Sequence, residues 1–144
     1  MNNGMGGGSP KVINTVVIDP ANPATIYTGH GTGNSAGGVN KSTNGGASWT
    51  FLTNAPDSAV RTMVATSSAV YASVSGGLLK TTNGGSTWTN ADAGLGSTFV
   101  ESLVSHPTDP TILYAGASGS GLPDAFITKL NAAGSGLLFS TLLG

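Results

Sequence analysis

The sequence predicts an all-β fold of three four-stranded antiparallel units, and three observations carry that prediction. The first is an internal repeat. KSTNGGASWT at 41–50 returns as KTTNGGSTWT at 80–89, a spacing of 39 residues. Tyr27, Tyr71 and Tyr114 sit in the short runs TIYTG, AVYAS and ILYAG, at spacings of 44 and 43. The second is that apolar, β-branched runs alternate with clusters of Gly, Pro, Asn and Asp. The third is that no segment holds a 3.6-residue period between helix caps, so helix should be nearly absent. Four antiparallel strands repeated every 40–45 residues are the signature of propeller blades.

The strands follow in order. The first unit, 12–55, has strands at about 12–18, 25–30, 38–43 and 48–53. Asp19 and the prolines of DPANP turn the first strand into the second, and Asn44-Gly45 turns the third into the fourth. The second unit, 56–98, places strands at about 60–66, 69–74, 78–82 and 87–90. Alternation is plain in Val60-Arg61-Thr62-Met63-Val64. The third unit, 99–144, places them at about 99–105, 111–116, 125–130 and 137–142. HPTDP repeats the role of DPANP, and Phe126-Ile127-Thr128-Lys129-Leu130 alternates again. Residues 1–11 read as a flexible lead.

Composition narrows the function. Of 144 residues 23 are Gly and 8% are charged, with a net charge of −1; ordinary domains have about 7% Gly and about 25% charge. Mean hydropathy is +0.12 and 38% of residues are hydrophobic, which is unlike a disordered chain. Five basic residues make neither the stripe that nucleic-acid phosphates require nor a polybasic membrane patch. No apolar run is long enough to span a bilayer as a helix. Cysteine is absent, which removes disulfides and thiolate metal sites. Low charge with abundant Ser, Thr, Asn and Gly suggests an extracellular or cell-surface location, although no signal peptide is visible.

The repeated turn comprises Ser42, Asn44, Gly46 and Trp49, and again Thr81, Asn83, Gly85 and Trp88. Asn tolerates a positive φ and bonds backbone two residues on; the glycines supply left-handed conformations; the hydroxyls of Ser42 and Thr81 add bonds to the turn. Each Trp is expected to return into the sheet and bury its ring against the neighbouring unit, worth roughly 3 kcal/mol.

These two segments resemble the Asp-box, S/T-x-D-x-G-x-T/S-W, of the BNR-type β-propellers. That group includes sialidases, sortilin-like receptors, xyloglucan-cleaving hydrolases and photosystem II assembly factors. Asn44 and Asn83 stand where the family has aspartate. The third unit lacks the motif, and 124–144 instead resembles the bacterial beta-propeller repeat of large secreted proteins. The resemblance implies a structural device on the hairpin between the third and fourth strands, away from the ligand face.

Three blades do not make a ring, since propellers typically use four to eight. The flanks of the first and third blades would stay apolar and uncovered, which monomers seldom tolerate. Two chains meeting head to tail would give six blades, half from each; a non-closing version would give a filament. The chain can also be part of a larger propeller.

Chemistry is sparse. The sialidase clamp needs three arginines for a carboxylate, and Arg61 is the sole one in the sequence. A glycosidase needs two suitably spaced carboxylates. Asp19, Asp57, Asp92, Glu101, Asp109 and Asp124 offer none in an assignable motif. Asp19, Asp109 and His106 read as turn residues. His30 enters GHGTGNSAGG, where a lone histidine reads as solvated, and the glycine spacing there lacks the helix a phosphate cradle needs. Lys41, Lys80 and Lys129 recur in register and read as outward-facing or edge-protecting lysines. The loops at 29–38, 54–59, 75–77, 91–98 and 116–124 should share the channel face. The ligand candidates there are His30, Asp57, Arg61, Asp92 and Glu101. No catalytic residue, metal ligand or cofactor is assigned. The leading expectation is a non-enzymatic module that self-associates and serves as an extracytoplasmic scaffold or interaction platform, with a glycan or protein as possible ligand. The alternative is a fragment of a propeller glycoside hydrolase or glycan-binding protein. The near-identical repeats also allow an engineered or ancestral-like propeller fragment.

Overall fold

A computed structural model describes residues 12–32, 37–93, 95, 99–118, 125–131 and 137–143. The lead at 1–11, Asp124 and parts of the candidate loops lie outside the described residues. Twelve strands form three four-stranded antiparallel sheets, and no helix occurs among the described residues. The first blade holds β1 (Ile13–Ile18), β2 (Ile26–His30), β3 (Gly38–Ser42) and β4 (Thr50–Phe51). The second holds β5 (Val60–Ala65), β6 (Val70–Val74), β7 (Gly77–Thr81) and β8 (Thr89–Asn90). The third holds β9 (Phe99–Ser105), β10 (Ile112–Ser118), β11 (Ala125–Asn131) and β12 (Leu137–Leu143). Each sheet runs in chain order from first to fourth strand. The chain is therefore a set of three propeller blades.

The first strands are innermost: β5 packs beside both β1 and β9. Register makes the blades superimposable. Tyr27 faces Lys41, Tyr71 faces Lys80 and Tyr114 faces Lys129 across the second and third strands. Each innermost strand also has a register shift, at Asn14, Arg61 and Glu101. Bulges of this kind re-aim a side chain and increase strand twist.

The core is not inside a blade but between blades. One cluster joins Tyr27, Val39, Val60, Met63, Val70 and Val74 across the first boundary. The other joins Tyr71, Leu78, Leu95, Val100, Leu113 and Ala115 across the second. Each fully buried Val or Leu contributes about 1.5–3 kcal/mol, so the blades depend on each other for stability.

The repeated turn is built on side-chain bonds that match atom for atom. The Ser42 hydroxyl donates to Asn44 Oδ1 at 2.9 Å and accepts from the Gly46 amide at 2.9 Å. Asn44 Oδ1 accepts from the Ser48 amide, and its Nδ2 donates to the Ser48 hydroxyl. Thr81, Asn83, Gly85 and Thr87 repeat the pattern at 2.8–3.0 Å. The glycines supply the left-handed conformations: Gly45 and Gly46, and again Gly84 and Gly85, take φ between 67° and 92°. Leaving the left-handed conformation to glycine frees each Asn to serve as the hub of bonds. One expectation is corrected: Trp49 and Trp88 are only half-buried. Trp88 lies against the cluster of the first boundary, at its margin, so the full-burial energy does not apply.

Candidate functional site

The bulged residues line up along the innermost strands. Asn14 Nδ2 donates to the Gly31 carbonyl at 2.7 Å and to the Val60 carbonyl at 2.8 Å, tying the first blade to the second. Arg61 Nη1 donates to both carboxylate oxygens of Glu101, at 3.1 and 3.3 Å, tying the second to the third. Glu101 is about half exposed and Arg61 a third; such a pair contributes at most about 1 kcal/mol. Asn14, Gly31, Thr32, Ala59 and Arg61 line an open hollow on this face. The sequence offered Arg61 and Glu101 as candidates, which the structure sets side by side, and did not offer Asn14. The signal was present: INTVV, VRTMV and VESLV are one repeat, with the residue at the register shift second in each.

The remaining candidates are not assembled around this pair. Asp57 is exposed in the loop between β4 and β5. Asp92 is half-buried with its carboxylate against Gly77 at the start of β7, where a side chain on that glycine would strike it. His30 is a correction. It ends β2, is 3% exposed, and holds Asn40 Nδ2 at 3.2 Å with its ring tilted 5.9 Å from Phe51. Its strand pairing and these neighbours draw it into the first blade and away from solvent. Asp19, Asp109 and His106 do bond locally. Asp109 accepts from the Thr111 hydroxyl and amide, and these bonds, the hydroxyl's first, hold its carboxyl below the usual range. Among the described residues no three His, Asp or Glu cluster as metal ligands.

Lys41 is also a correction. Lys41 lies 5.5 Å from the centroid of the Tyr27 ring and donates to the Gly84 carbonyl at 3.0 Å, in the repeated turn of the next blade. Lys80 lies 5.6 Å from that of Tyr71. Lys41 thus acts between blades rather than guarding an edge. Burial raises the Tyr27 phenol above its ordinary pKa, with nearby Asp19 adding to it, and burial raises Tyr71 likewise.

The most unusual surface is the pair of end flanks. Val60 and Val100, each preceding the bulge, are fully buried against the blade before them; Ile13, in the same position on the first blade, is 37% exposed. Met63 is 4% exposed, whereas its equivalent Val16 is 59% and the neighbouring Ile18 is 57%. On the opposite flank Tyr27 and Tyr71 are buried, but Tyr114 is only half-buried. Val17 and Val64 pack against the next blade's cluster, and their equivalent Val104 is 57% exposed. The same positions that make the internal boundaries are thus open at both ends.

No family model matches the chain, nor does any curated protein sequence. Solved structures do. A GH74 enzyme from Niastella koreensis is similar over 92% of this chain and 22% of its own, at 22% identity and a TM-score of 0.69. A nidogen/laminin complex contains a similar chain over 93% of this one and 48% of its own, at 14% identity and a TM-score of 0.68. YCF48 from Cyanidioschyzon merolae is similar over 96% and 38%, at 13% identity and a TM-score of 0.58. The chain therefore spans about a fifth to a half of these propeller proteins, and the likeness is one of fold.

Proposed function

We propose that this chain is a non-enzymatic β-propeller module that associates with further copies of itself and serves outside the cytoplasm as a scaffold or interaction platform. The observation that carries the reading is the open pair of flanks, whose repeat equivalents are the buried boundaries of the same chain. Val16, Ile18 and Val104 in water leave apolar surface exposed that each internal boundary removes from water. The Arg61–Glu101 pair supports the non-enzymatic half of the reading, because its two charges are spent on each other across a blade boundary. The repeated turns support kinship with Asp-box propellers, in which that turn is structural. Sedimentation equilibrium at micromolar concentration tests the reading: an assembly of at least two 14.1 kDa chains is expected, and a soluble monomer at all concentrations contradicts it.

A second reading has one observation in its favour. Three GH74 structures share the fold, at 14–22% identity. This reading makes the chain a fragment of a propeller glycoside hydrolase or glycan-binding protein, and places its ligand on the face of Asn14 and Arg61. Release of reducing sugar from a polysaccharide panel, or capture on a glycan array that Arg61→Ala abolishes, would favour it over the first. No hydrolysis and no capture is the outcome expected here.

A further inference from the structure

We propose that two copies join head to tail, the third blade of each against the first blade of the other, and that Ile13 seated on Gly116 is the key that sets this pairing. The inference rests on the self-association reading above and names its geometry.

The first boundary supplies the template. Val60 lies so close to Gly29 that a Cβ on the glycine would fall 2.5 Å from Val60 Cγ1 and 2.9 Å from its Cβ. A β-branched plug therefore fills the place of a missing side chain. At the second boundary the seat is Ser73, whose hydroxyl donates to the carbonyl of the plug, Val100. Register assigns the remaining members: Gly116 is the seat on the third blade, and Ile13 is the plug on the first. The chain thus carries a Gly seat at one end and a β-branched plug at the other, the same chemistry as its own first boundary. A second copy supplies both halves at once, which no unrelated partner needs to do.

The second contact points the same way. Lys41 lies beside the ring of Tyr27 and reaches the Gly84 carbonyl of the following turn. Lys129 faces Tyr114 in the same register, and the repeat equivalent of Gly84 is Gly45 in the turn of the first blade. In the head-to-tail pair Lys129 donates to the Gly45 carbonyl of the second copy. Three blades from each copy make six, within the range in which propellers close, so the pair ends as a ring with twofold symmetry.

The chain has no cysteine, so an engineered pair reports this contact alone. Ile13→Cys and Gly116→Cys chains, separately tagged, are mixed as dissociated chains, reassembled and oxidised. The expected product is a disulfide between unlike chains, with none between like chains, and the double variant stops at two chains. Like-with-like disulfides, or a ladder of longer products, overturn the pairing while leaving self-association intact; a wild-type monomer by native mass overturns the self-association reading itself. Should Gly116→Cys fail to fold, Lys129→Met decides. Loss of a charge-assisted bond should weaken the dimer about tenfold or more, and an unchanged dissociation constant overturns the head-to-tail pairing.

Discussion

Val60 packs onto the bare backbone of Gly29: the two touch across the first blade boundary where any side chain on the glycine would overlap Val60. Val60 is branched at Cβ and cannot swing aside, and Thr15 closes the other side of the seat. Gly29→Ala should therefore cost about 1–3 kcal/mol, the usual penalty for overpacking. Val60→Ala in the same chain should recover part of it. Urea denaturation of the single and double variants checks both, and additive losses would show that the two residues do not share one space.

Asn44 and Asn83 each accept from a hydroxyl and an amide and donate to a second hydroxyl. Ala at either position strands these groups and should cost about 1–3 kcal/mol. Asp keeps both acceptors, and the Ser48 or Thr87 hydroxyl can turn to donate instead. Asn44→Asp and Asn83→Asp should thus stay within about 1 kcal/mol of the parent. Thermal midpoints of the four variants test the ordering.

Alkali should unfold the chain by a defined route. Burial raises the folded-state pKa of Tyr27 and Tyr71 above the ordinary phenol value. Below about pH 10 both are neutral in either state and their contribution is intact. Above it the unfolded chain loses protons first, so stability falls as pH rises toward the folded values. Tyrosinate absorbance and circular dichroism should change together. Tyr27→Phe and Tyr71→Phe should shift the transition to higher pH.

The Arg61–Glu101 pair is exposed enough to be screened. Glu101→Gln should change stability by less than about 1 kcal/mol. Met63→Asp, which buries a charge within the first boundary, should unfold the chain. Circular dichroism of the two variants distinguishes a boundary held by packing from one held by charge.

What the sequence revealed and what it hid have a common cause. Strand positions were legible because alternation and turn residues are local: β5 begins at Val60 and β9 at Phe99, as the runs imply. The turn was legible because Ser42, Asn44 and Gly46 bond within five residues. His30 was misplaced because its burial depends on Asn40 and Phe51, 10 and 21 residues away. Lys41 was misread because it finds its acceptor 43 residues on, in another blade. Asn14 was missed because a polar residue before TVV looks like ordinary strand alternation until pairing shows it bulged.

The central claim is that the flank carrying Val16 is covered in solution. A Val16→Cys chain tests it most directly, since it contains a single thiol. Reaction with a thiol reagent should be at least tenfold slower than for Thr53→Cys, which lies exposed after β4, and should speed up when the assembly is dissociated. Equal reactivity of the two variants in the folded chain would contradict the account.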